Sequence, residues 1–231
     1  MKKNKRNVNE SSEIRTKKKK MLSLKRFVLC LFLLGIIFLV YHVYNSFFNK
    51  PTEATKPKVV DEIKTFNYAL SENDTELFKN TFKELKKILS EKEVDNKKYA
   101  ETVAKLFIID FFSLDNKTSK NDIGGVQFVY SKFKTDFVDY ARNSIYKRVN
   151  NKIDSKEKQN LPLVDEIKVD SVDEVVPSQI FEHQDFAEDN EADAYEVSLS
   201  WSYKNGDDFQ TSTVLTLVKD GSKLSIAKMT E

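Results

Sequence analysis

An α+β domain behind one membrane-spanning helix is the architecture the sequence predicts, and three observations predict it. Residues 27–44 are an uninterrupted apolar run directly behind an arm crowded with lysine and arginine. Apolar residues then recur at helical spacing as far as residue 149, and from Ile167 onward the period changes from 3.6 to 2.

The apolar run, Phe27 to Tyr44, has 18 residues. At about 1.5 Å each it reaches roughly 27 Å, and continuation through Phe47 and Phe48 brings it near the bilayer's hydrocarbon thickness of about 30 Å. Residues 1–26 hold eleven Lys or Arg against Glu10 and Glu13, whereas the chain from Asn49 on carries 27 basic and 34 acidic residues. The overall charge of +2 therefore hides a basic arm and an acidic domain. The arm is expected in the cytoplasm and the domain outside. A basic excess confined to an arm beside a bilayer is expected to attract anionic lipid, and nucleic acid is not expected as a partner. The residues after the run, Tyr41-His-Val-Tyr-Asn-Ser-Phe-Phe-Asn-Lys50, offer no small-residue cleavage site, so the helix is expected to stay as an anchor. Cys30, the sole cysteine, sits inside that run, so the domain outside has neither disulfide nor thiolate and depends on its core. The tripeptides Asn73-Asp-Thr75 and Asn116-Lys-Thr118 match the glycosylation pattern and are taken as chance matches.

Asn49 to Lys58, with two prolines, reads as a tether, and the folded domain is expected from residue 59 to 231. Val59, Ile63, Phe66 and Leu70 are spaced for a first helix. Phe78, Phe82, Leu85 and Leu89 are spaced for a second, capped by Asn73 with Glu76 or by Asp74. A third, about Lys97 to Leu114, is apolar on all faces through Leu106-Phe-Ile-Ile-Asp-Phe-Phe112 and is expected to be buried or docked on a partner. A fourth runs from about Lys132 to Val149 after a polar loop and Gly124-Gly125. Four helices are thus expected on a C-terminal antiparallel sheet. Its strands are read around Ile167 and Val169, loosely at Ile180 and His183, then at Tyr195 to Tyr203, Phe209 to Val218 and Leu224 to Met229. Asn205-Gly206 and Asp220-Gly221 turn the last two.

This order, with "FNYALSENDTELFKNTF" in front and "YEVSLSWSYKNGDDFQTSTVLTLVKDGSKLSIAKM" behind, resembles the nuclear transport factor 2-like superfamily of cone-shaped α+β folds. The Phe66…Leu70…Asp74…Phe78 spacing looks like that superfamily's opening helix pair. With one N-terminal anchor the chain is similar to the single-pass scaffolds of type IV secretion and Gram-positive conjugation of the TcpC type. The segment "AKLFIIDFFSLDNKTSKNDIGGVQFVY" looks like uncharacterised anchored proteins of low-GC Gram-positive bacteria. The resemblance implies a cone and an assembly role, or else a pocket for a small molecule.

Asp110 is the sharpest candidate, because a carboxylate between Ile109 and Phe111 is placed for burial and, by the resemblance, for service as a general base. The structural reading is favoured: an Asp that accepts backbone or Tyr hydrogen bonds from the Gly124-Gly125 segment. Phe111 and Phe112 are candidate contact residues, conditional on exposure. Tyr195, Trp201, Tyr203 and Phe209 are candidate lining of a cavity, though at strand spacing core is the commoner use. His42 and His183 stand alone, so no zinc set forms. Asp185, Glu188, Asp189, Glu191 and Asp193 lack the ligand pattern and glycine of a calcium loop. No nucleophile elbow or phosphate loop is present, and no cofactor is expected. The function expected is a non-enzymatic scaffold that meets other envelope proteins or itself. The alternative is a small-molecule-binding module or isomerase-like enzyme with a pocket inside the cone.

Overall fold

The structure is a computed structural model that describes residue 36 and residues 58–149, 160–176, 194–206 and 209–230. The basic arm, the apolar run except Ile36, the tether up to residue 57, Cys30, His42, Ile180, His183 and the acidic residues 185–193 lie outside the described residues. Ile36 itself is helical and exposed. No helix among the described residues is long and apolar enough to cross a membrane. The chain divides into two units, Met1–Glu53 and Ala54–Glu231, and the second carries the fold.

That unit is α+β. A small hairpin, β1 (Val59–Ile63) and β2 (Tyr68–Ser71), opens it, joined by a 3₁₀ turn at Lys64–Phe66. This corrects the helix expected over Val59 to Leu70, and with it the opening helix pair. The hairpin wins because Asn67 takes a left-handed conformation (φ 53°) that ends the turn and sends the chain back. Tyr68 and Leu70 then alternate inward. Val59, read as part of that helix, is 51 % exposed.

Helix α1 (Glu76–Ile88) buries Phe78, Phe82 and Leu85 as expected. Its cap, however, is Thr75, whose side chain accepts from the Phe78 N–H at 3.1 Å. Asp74 instead closes the preceding turn, accepting from the Ser71 N–H at 2.6 Å. Helix α2 (Asn96–Phe112), capped by Asp95 on the Lys98 N–H, is buried on nearly every side. It packs against α1 and lies across all four strands of the main sheet. The expected fourth helix is broken: α3 covers only Lys134–Asn143, between 3₁₀ turns at Ser131–Phe133 and Ile145–Arg148. The described residues therefore hold three α-helices where four were expected.

The main sheet is an antiparallel meander of β3 (Val164–Val175), β4 (Ala194–Tyr203), β5 (Ser212–Asp220) and β6 (Lys223–Thr230), in that order. Strand β5 begins at Ser212, three residues later than expected. Period 2 decides the faces. Tyr195, Val197, Leu199 and Trp201 stand opposite Leu217, Leu215, Thr213 and, on the other side, Ile167, and they point at α2. The interior is rich in aromatic rings. Phe107, Phe111, Phe137 and Tyr146 form one stack, and Phe78, Phe82, Phe128 and Tyr68 another.

Candidate functional site

Asp110 lies in the last turn of α2, and the chain beyond it folds back over it. Helix α2 stops where Leu114 and Asp115 give their N–H groups to the Pro162 carbonyl, at 2.8 and 3.2 Å. The loop then turns, held by Asp122, whose carboxylate accepts from the Thr118 N–H and hydroxyl. That turn carries Lys117 inward. Its Nζ donates to Asp110 Oδ1 at 2.5 Å, with 4 % and 13 % of the two side chains exposed.

The other carboxylate oxygen is also taken. The Gly125 N–H donates to Asp110 Oδ2 at 2.7 Å. Beside it the Gly124 N–H donates to the Tyr146 hydroxyl at 2.9 Å, which in turn donates to the Phe111 carbonyl at 2.8 Å. The glycines are required by space. A Cβ on Gly124 would stand 2.1 Å from the Asp110 carbonyl oxygen, and one on Gly125, at φ 76°, would stand 2.9 Å from the Phe107 ring. The backbone can reach the carboxylate only without side chains there.

Electrostatics reinforce the pair. Burial works to lower the Lys117 ammonium's pKa, but the charge of Asp110, then Tyr146 and the hydrogen bond itself, raise it above the ordinary lysine value. Burial raises the Tyr146 hydroxyl, which keeps its proton and its donor role. Nearby, Asp74 is pushed up to about 6, first by burial, against the Ser71 bond, and then by the Asp110 charge. The turn bearing Asp74 also touches this loop directly, since Asn116 Nδ2 donates to the Asn73 carbonyl at 3.1 Å. With Oδ1 of both asparagines buried, neither glycosylation-pattern asparagine is a free surface amide.

Chemically, this arrangement fastens. Three segments meet on one carboxylate: the end of α2, the loop at Lys117 and the Gly124-Gly125 turn. A general base needs a lone pair aimed at a substrate proton; each Asp110 oxygen holds one hydrogen bond within the fold, and the side chain is 13 % exposed and lines no part of the cavity beside Tyr195. The expectation that Asp110 accepts from Gly124-Gly125 is met at Gly125. Lys117, Tyr146 and Asp74 were missed, since nothing local marks a lysine of a polar loop as an inward one.

Of the other candidates, Phe111 touches this site, through its carbonyl and its ring against Tyr146. Phe111 and Phe112 are core, 1 % and 2 % exposed, so the condition on their use as surface contacts fails. They are inward because α2 is enclosed by α1, the sheet and α3. Trp201 packs on Phe112 with ring centroids 4.9 Å apart. Tyr203 donates to the Gln210 carbonyl at 2.7 Å, and burial raises its hydroxyl to about 12. A cavity of about 120 Å³ lies elsewhere, at the Tyr195 end of β4, and neither Asp110, Trp201 nor Tyr203 lines it. Among the described residues no three His, Cys, Asp or Glu side chains are grouped to hold a metal.

No protein-family model, curated protein or solved structure matches this chain.

Proposed function

We propose that this chain is a non-enzymatic scaffold or assembly protein held at a cell membrane. In this reading residues 27–48 span the bilayer, the basic arm 1–26 meets anionic lipid on the cytoplasmic side, and residues 59–231 face outward as a nuclear transport factor 2-like domain. A place in conjugation or type IV secretion is the assembly to which the resemblance points. The observation that carries the reading is the state of Asp110. The carboxylate best placed by sequence for catalysis has both oxygens bonded, to Lys117 and to Gly125.

With α2 enclosed, contacts with envelope partners or a second copy fall to the sheet edges. Strand β3 has no neighbour on its outer side among the described residues. It carries Asp165, Glu166, Asp170, Asp173 and Glu174 and two register shifts, features that limit indiscriminate pairing and leave room for a selective partner. On β6 the first half is covered by Val129 and Tyr130, through the Tyr130 N–H bond to Ile226, and the second half is open. Crosslinking in native membranes, followed by purification of the full-length chain and mass spectrometry, tests the proposal. A reproducible set of envelope proteins supports it, and recovery of the chain alone counts against it.

The second reading, a small-molecule-binding module, draws its support from the cavity beside Tyr195 and none from Asp110.

A further inference from the structure

The cavity at the Tyr195 end of β4 differs in charge from the domain around it. The chain from Asn49 on has more acidic than basic residues, yet the residues lining this cavity include Lys219 and Lys223 and no Asp or Glu. Its wall is aromatic. Phe66 and Tyr99 meet edge to face at 5.9 Å, and Tyr195 and Leu224 complete the apolar surface.

Two of the phenols here, Tyr68 and Tyr99, are committed to each other. The Leu224 N–H donates to the Tyr99 hydroxyl (3.0 Å), Tyr99 donates to the Tyr68 hydroxyl (2.8 Å), and Tyr68 donates to the Leu224 carbonyl (2.7 Å). This closed ring commits the protons of Tyr68 and Tyr99 within the fold, and the charge of the lining is that of the two lysines. Lys223 is 8 % exposed and has no ion pair among the described residues. Its Nζ spends one of three protons on the Gln127 carbonyl (2.8 Å) and lies 5.1 Å from the centre of the Tyr68 ring. Asp220, paired with Lys223 across the turn, gives its carboxylate to the Ser131 N–H and hydroxyl, both at 3.0 Å. Burial, then the charge of Lys134, lower the Lys223 pKa, and the charge of Asp220 opposes them only in part. Buried charges are ordinarily paired.

We infer that this cavity binds a small organic carboxylate with a body no larger than one ring, Lys223 and Lys219 supplying the positive charge and Phe66, Tyr99 and Tyr195 the apolar wall. The size sets the limit: an apolar cavity of about 150 Å³ accepts benzene, and this one, of about 120 Å³ and partly open to solvent, holds at most one ring with its carboxylate at the mouth. The inference goes beyond the scaffold proposal and does not depend on it.

The test is a titration of full-length protein in lipid nanodiscs, followed by the methyl resonances of Leu89, Val94 and Leu224, with benzoate and with neutral benzyl alcohol. Benzoate is expected to give a saturable shift and to bind at least about tenfold more tightly, the range for a hydrogen bond to a charged group. Lys223→Met and Lys219→Met are each expected to remove most of that preference. Absence of a saturable benzoate shift, or equal affinity for the two probes, overturns the inference. So does an unchanged preference in Lys219→Met, whose side chain is exposed, in protein whose other methyl resonances match the wild type. Partner recovery by crosslinking is independent of all these outcomes.

Discussion

Lys117 donates to Asp110 from seven residues further along the chain, at 2.5 Å, and both side chains are almost closed to water. A buried pair of this kind owes little of its net stability to attraction, because desolvation of two ions cancels most of it. Its consequence is directional: either charge alone is worse than both or neither.

Removal of one partner is therefore expected to cost about 3–5 kcal/mol. Lys117→Met leaves the Asp110 carboxylate with the Gly125 N–H alone, and Asp110→Asn leaves a buried ammonium. The double variant is expected to be more stable than either single one. Urea unfolding of the three variants measures this directly, and additive losses would show that the two groups act independently.

The turn over the pair gives a steric prediction. Gly124→Ala places its Cβ 2.1 Å from the Asp110 carbonyl oxygen, so backbone must move, at about 1–3 kcal/mol or more. Gly221, in the β5–β6 turn, has φ 66° and nothing within 4 Å of its added Cβ. Gly221→Ala is expected to show only the left-handed backbone penalty of about 1–2 kcal/mol. Thermal unfolding of both ranks the two positions.

Asp74 carries a pH dependence. Its folded pKa is raised from the ordinary 3.8 to about 6, so the folded state binds the proton more tightly than the unfolded state. Its contribution to stability is fully present below pH 3.8 and is lost as pH rises through about 6. Asp74→Asn is expected to flatten that part of the stability curve, seen as a smaller change in urea midpoint between pH 4 and pH 7. A wild-type curve with no Asp74-dependent step would contradict the burial argument.

Phe111→Asp and Phe112→Asp are expected to prevent folding, because each puts a carboxylate among stacked rings. Phe112→Ala, which empties the space against Trp201, is expected to cost about 3–5 kcal/mol. Retained circular dichroism and a sharp melt in the Asp variants would place these rings at the surface after all.

The parts of the fold legible in sequence are those whose signal is local. Helices α1 and α2 are read from i, i+3/i+4 spacing, and β4 from the alternation of Tyr195 to Tyr203 with serines and Glu196. Asp220-Gly221 marks a turn, and Gly124-Gly125 a close backbone approach. The opening hairpin is misread because Val59, Ile63, Phe66 and Leu70 happen to fall at helical intervals. The β-branched pair Val59-Val60 and an Asn at position 67 favoured strands and a turn. At the candidate site Asp110 stands out by its apolar neighbours, but Lys117 reaches it only because Pro162, 45 residues further on, holds the loop that turns it inward. The ring of Tyr68, Tyr99 and Leu224 joins residues up to 156 apart. Long-range closures of this kind leave no trace in a window of sequence.

The most direct measurement is partner recovery by crosslinking from native membranes, comparing the wild-type chain with the double variant Asp110→Asn, Lys117→Met. The variant neutralises the fastener while an amide oxygen still faces the Gly125 N–H. If the domain is a scaffold and Asp110 a fastener, the same envelope proteins are recovered with both chains at equal levels of folded protein. Loss of partners from a variant that remains folded would contradict the account and assign Asp110 a direct functional role.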